Sequence, residues 1–130
     1  MSLRLIISSI VILINLSSHA ANINTEKIDR QPPSLLNPDI PRLAIPATPH
    51  HISLPAFGQG IIGWGTGPDG AEKRLHNITK ADVDKLKTQH VDLDMIQSWQ
   101  QFYENETQRN PNNPTAPLRA KLMHKISQLW

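Results

Sequence analysis

The sequence predicts an all-α protein, a small bundle of three to four helices with a glycine-rich segment covering its N-terminal side. Three observations lead there. From Asp69 onward, apolar residues recur at spacings of three and four. All six glycines fall within residues 57–70, immediately before those helices, and prolines crowd the stretch before them. Helical spacing without an alternating apolar run argues for helices packed on helices.

The chain begins with Met1 to Arg4, a short positively charged stretch, and continues with the uncharged run LIISSIVILINL at 5–16. A membrane-spanning helix needs about 20 apolar residues to cross roughly 30 Å of hydrocarbon, so this run reads as a signal peptide instead. Small residues at Ser18 and Ala20 place the expected cleavage after Ala20, giving a signal peptide over 1–20. The chain has no cysteine, which excludes lipid acylation at the cleavage site, disulfides, thiolate metal sites and a cysteine nucleophile. Removing residues 1–20 takes one of the 13 Lys and Arg, leaving twelve against 11 Asp and Glu. A net charge near +1 gives no strong nucleic-acid signal.

Residues 21–56 form a proline-rich leader, with Pro32, Pro33, Pro38, Pro41, Pro46, Pro49 and Pro55. Each proline fixes its own φ and biases the residue before it toward extended backbone, so the leader is expected to be extended. A spacer is the plain reading of that composition, and a docking peptide for a grooved partner is the functional one.

The domain is expected over 57–130. Residues 57–70 (FGQGIIGWGTGPDG) are too rich in glycine for an ordinary helix, and Ile61, Ile62 and Trp64 are the expected anchors of this cover. A short helix follows over 69–76, with Ala71, Leu75 and Ile78 on one side. Thr79 and Asp82 predict a capping box and a second helix over 80–88. Met95, Ile96, Trp99, Phe102 and Tyr103 mark a third helix within 92–109, capped by Asp92 or Asp94. The Asn110-Pro111-Asn112-Asn113-Pro114 loop ends it, and a fourth starts at Thr115 with Pro117 in its first turn. Leu118, Leu122, Ile126 and Leu129 are expected on its inner face, with Met123 and Trp130 beside them. Acidic residues predominate on the third helix and basic ones on the fourth, which favours an antiparallel hairpin.

Gly58-Gln59-Gly60-Ile61-Ile62-Gly63 has the spacing of a dinucleotide loop but lacks a preceding strand, so no cofactor is expected. The histidines show no ligand spacing on one helix face, so no metal is expected. Ser98 and Ser127 lie mid-helix without a nucleophile-elbow sequence. One charged edge remains as a candidate catalytic site: Glu104, Glu106, Arg109, Arg119 and His124, with Glu104 or Glu106 meeting Arg119 across the hairpin and His90 or His124 as acid-base group. The ordinary alternative pairs Glu106 with Arg109 at i+3 on a solvated rim.

The segments GWGTG at 63–67, ITKADV at 78–83, WQQFYENE at 99–106 and RNPNNPTAPLRAKLM at 109–123 resemble a domain family of unknown function from small exported proteins of Acinetobacter-like Gram-negative bacteria. The resemblance spans 56–130 and leaves the leader outside. Similar segments occur at the C-terminal ends of secreted polymorphic-toxin-type proteins, which implies a secreted effector or toxin domain. The resemblance carries no catalytic residues. Together these readings predict an exported, periplasmic or secreted module that binds a protein or envelope component, with a small antibacterial effector as the alternative.

Overall fold

The structure, a computed structural model, describes residues 36–130; the expected signal peptide and residues 21–35 of the leader lie outside the described residues. The described residues hold five α-helices and no strand, as the predicted all-α class requires: α1 (Leu54–Phe57), α2 (Gly67–Asn77), α3 (Lys80–Thr88), α4 (Leu93–Arg109) and α5 (Ala116–Gln128). A π-helical turn, Gly58–Ile62, continues α1. None of these helices is long and apolar enough to cross a membrane.

The glycine-rich segment departs from its expected irregular form. Ser53 caps α1 by accepting from the Ala56 amide at 3.3 Å, and the wider π turn then carries Ile61 and Ile62 into the core. The amides of Gly63 and Trp64 both donate to the Gly58 carbonyl, at 2.7 and 2.8 Å. Gly63 closes the turn with φ at +95°, where a side chain would be strained. Gly58 is required for a different reason, because a Cβ there would lie inside the Trp64 indole. The bare Gly58 backbone is therefore the seat of Trp64. α2 starts at Gly67 instead of Asp69, with Pro68 in the first turn, where its missing amide breaks no intrahelical bond.

α3 opens on the predicted capping box: Thr79 accepts from the Asp82 amide at 3.3 Å, and Asp82 accepts from the Thr79 amide at 3.0 Å. Asp92 caps α4 by accepting from the Met95 amide at 2.8 Å. At α5 the cap comes from two residues upstream of Thr115. Asn113 Oδ1 accepts from the Thr115 amide and hydroxyl at 3.0 and 2.8 Å and from the Ala116 amide at 3.4 Å. The Asn-Pro loop thus ends one helix and starts the next.

α4 and α5 pack most extensively, and they run antiparallel: Tyr103 near the end of α4 lies against Arg119 near the start of α5. Trp99 is the centre of the core, fully buried, stacked on Phe57 and Tyr103 with ring centroids at 5.6 and 6.0 Å. Phe102 and Trp64 meet it edge-on. Trp64 and Trp130 are only partly buried, so the aromatic core is built around one tryptophan and not three. The inner face of α5 also differs from expectation. Ala116, Ala120, Leu122, Met123 and Ile126 are buried, while Leu118 and Leu129 stay half-exposed. The small side chains at 116 and 120 let α4 approach closely enough for its aromatic side chains to fill the interface.

Within the leader, residues 37–40 make a turn, in which the Ile40 amide donates to the Asn37 carbonyl at 3.4 Å, and residues 41–49 run on without helix or strand, but they do not stand away from the helices. They form a strap antiparallel to α4. The Asn37 amide donates to the Arg109 carbonyl at 2.7 Å. Arg109 Nε donates to the Ile40 carbonyl at 3.2 Å, Asn105 Nδ2 to the Pro41 carbonyl at 3.1 Å and Trp99 Nε1 to the Ala47 carbonyl at 3.2 Å. Prolines lack the amides that a sheet would use, but their carbonyls accept freely, and α4 supplies the donors. The packed unit accordingly begins upstream of Phe57, and the described residues, 36–130, belong to one compact unit.

Candidate functional site

The strap, the Gly58-seated tryptophan and the α4–α5 hairpin meet around a cleft of about 360 Å³. Trp64, Trp99, Phe102 and Tyr103 supply its aromatic walls, and Arg42, Glu106, Asn113 and Arg119 its polar groups. Arg42 comes from the strap, with its guanidinium 5.5 Å from the centre of the Phe102 ring and 3.4 Å from Glu106. Trp64 Nε1 donates to the Tyr103 hydroxyl at 2.6 Å. Burial, ahead of the opposing Trp64 hydrogen bond, pushes the Tyr103 phenol above its ordinary pKa, so the hydroxyl keeps its proton at neutral pH.

The five residues of the predicted charged edge separate in the fold. Glu106 and Arg119 line the cleft. Arg109 bonds Glu106 at 2.7 Å, the ordinary i+3 pair, and holds the strap with its Nε. The expected glutamate to Arg119 pairing is not made, because Arg109 and Arg42 already engage Glu106. Glu104 is exposed and accepts from Gln100 one turn earlier at 2.8 Å. His124 is exposed on α5 and does not line the cleft. Arg119 lies 5.8 Å over the Tyr103 ring, and its Nε is enclosed with no acceptor among the described residues.

Arg42, Trp64, Tyr103 and Asn113 belong to the cleft and were no part of the predicted edge. Arg42 joins it only because the strap folds back onto α4, and the motif signals at hand concerned single segments. Elsewhere, the His51 and His90 rings meet edge-on at 5.5 Å although they come from segments read as unrelated. Among the described residues, no three His, Cys, Asp or Glu side chains converge as metal ligands. A broader groove of about 790 Å³ has Ile52, Ile61, Ile78, Leu86 and Ile126 in its lining. Two of its polar residues are already engaged: Arg74 donates to the Gly60 and Ile61 carbonyls, and Asp82 sits in the α3 cap. The cleft differs in holding an enclosed guanidinium nitrogen, Arg119 Nε, that has no partner among the described residues.

No curated protein matches the chain. Among solved structures, the NMR structure of a protein from Acinetobacter baumannii is similar at 57% identity with a TM-score of 0.62, covering 72% of this chain and 88% of that one. A family described as a domain of unknown function, DUF4951, matches residues 32–130 and so takes in the strap as well as the helices. By that match over most of its length, the chain belongs to the DUF4951 family.

Proposed function

We propose that the protein is an exported binding module of the bacterial envelope, which recognises its partner through the cleft at Arg119 and catalyses no reaction there. Export rests on the charged start, apolar run and small-residue cleavage site of residues 1–20. Binding rests on one observation above all: a guanidinium lines an aromatic-walled cleft, with its Nε enclosed and no acceptor offered by the described residues. A convergent unpaired donor among apolar walls is recognition chemistry. Proton-transfer chemistry would need a base within reach of a nucleophile. Glu106, the carboxylate of the cleft, is occupied by two arginines, and the nearest predicted acid-base candidate on α5, His124, lies outside the lining.

The competing reading, an antibacterial effector, is tested by growth. The chain is induced in a laboratory bacterium with and without residues 1–20, beside a Glu104→Ala, Arg119→Ala variant, and partners are recovered from envelope extract. Normal growth in both cases, with a stable complex that the Arg119 change abolishes, is the expected result. Growth arrest in one compartment, relieved by the double variant at unchanged protein level, would establish an effector in its place.

A further inference from the structure

We infer that the Arg119 cleft takes a carboxylate carried on an apolar or aromatic body, either the C-terminal end of a polypeptide or a small organic acid. The inference rests on the binding-module reading and specifies its ligand chemistry. It follows from counting the cleft's donors and acceptors. Asn113 Oδ1 already accepts three hydrogen bonds at the start of α5, which fixes the orientation of the amide and leaves its Nδ2 without an acceptor among the described residues. The Tyr103 hydroxyl accepts from Trp64, so its own proton is free to be donated, and no described group accepts it. Arg119 likewise has no hydrogen-bond acceptor among the described residues, and its Nε is enclosed. Three donors therefore line one cleft unpartnered, while Asn113 Oδ1 already accepts three hydrogen bonds and Glu106 Oε1 is shared by Arg42 and Arg109. A ligand that satisfies this site must bring acceptors.

Charge selects among acceptor ligands. The lining holds Arg42 and Arg119, and Arg109 reaches Glu106 from beside it, so three guanidinium groups face one carboxylate and the surplus positive charge selects an anion. A carboxylate brings one negative charge and the planar pair of oxygens that a guanidinium fork matches. The rest of the cleft calls for an apolar body. Ile45 lines it and is 52% exposed, and the Trp64, Phe102 and Tyr103 rings stand around it. A volume of about 360 Å³ lies at the small end of ligand pockets and suits one side chain with its acid group.

The test is NMR titration of the purified protein, following the Trp64 indole N–H and the Arg119 Nε–H signals. Three probes are compared: acetyl-Ala-Ala-Phe with a free C-terminus, the same peptide amidated, and phenylacetate. The free-acid peptide is expected to shift both signals, and the amide to bind about tenfold more weakly or worse, since a hydrogen-bonded charge is lost. Arg119→Gln should reduce acid binding by about the same factor at an unchanged melting temperature, with Arg119→Lys intermediate because it keeps the charge without the fork. Phenylacetate binding as tightly as the peptide identifies a small organic acid as the source, and clearly weaker binding identifies a chain end. Equal binding of acid and amide, or an unaffected Arg119→Gln variant, would overturn the carboxylate assignment while leaving the cleft a binding site. If no probe moves the Trp64 signal, the carboxylate assignment fails outright, and the module reading is then decided by growth and partner recovery.

Discussion

The α4–α5 pair and the strap that crosses α4 are joined to the same helix by different physics. Between the helices, Ile96, Trp99, Met123 and Ile126 are fully buried, and the attraction is the non-directional removal of apolar surface from water. Along the strap, Leu36, Leu43 and Ile45 remain about half exposed, and Arg109, Asn105 and Trp99 hold its carbonyls instead. A segment without apolar periodicity can thus belong to a folded unit when a helix offers it donors. The two regions share Trp99, whose ring belongs to the core and whose N–H belongs to the strap.

Trp99→Ala should have the largest effect, breaking both regions together. Truncating a buried tryptophan costs about 3 to 5 kcal/mol, a large part of the stability of a small domain. Denaturant unfolding measures it, and a loss under about 1 kcal/mol would show that the aromatic cluster is not the centre of the core. Asn105→Ala should separate the regions. It removes one side-chain bond to the Pro41 carbonyl, worth about 0.5 to 1.5 kcal/mol, and leaves the helix interface untouched. Limited proteolysis should then quicken within residues 37–49 while helical circular dichroism is unchanged. Equal loss of protection in α4 would mean that strap and helices unfold as one unit.

The smallest effect lies outside both regions, at the start of α3. The Thr79 hydroxyl, followed by its amide, holds the exposed Asp82 carboxyl below the usual aspartate range. The depressed value means that this support is complete above the unfolded-state pKa and is lost as the pH falls through the folded one. Amide exchange at the first turn of α3 should therefore quicken in that acid window, before the strap or the α4–α5 pair responds. Thr79→Val should weaken the pH dependence of that turn without abolishing it, because the amide at position 79 still donates to Asp82.

The helices after Asp69 were legible because each contains its own evidence. Thr79 and Asp82 stand at capping-box spacing, and Trp99, Phe102 and Tyr103 fall on one face at helical spacing. The helical character of residues 54–62 was not visible, since Leu54 to Ala56 read as the end of the extended leader and glycine content argued against an ordinary helix beyond them; Pro55 instead sits in the first turn of α1, and the π turn is specified by Trp64 seated on Gly58. The candidate site was legible in part. Glu106 and Arg119 do reach one cleft, whereas Glu104 and His124 point to other surfaces, a matter of helix rotation that chain spacing alone leaves open.

By itself, the sequence determined what depends on neighbours within a few residues of each other: the all-α class, the caps of α3 and α4 and the stop at the Asn-Pro loop. Tertiary structure decided what depends on residues far apart in the chain. It laid the strap on α4, brought Arg42 to Glu106 and Trp64 to Tyr103, and left Arg119 without a carboxylate. The physical reason is reach: local hydrogen bonds and side-chain periods act over one or two turns, whereas a carbonyl at Pro41 can find a donor at Asn105 only after the chain has closed the distance between them.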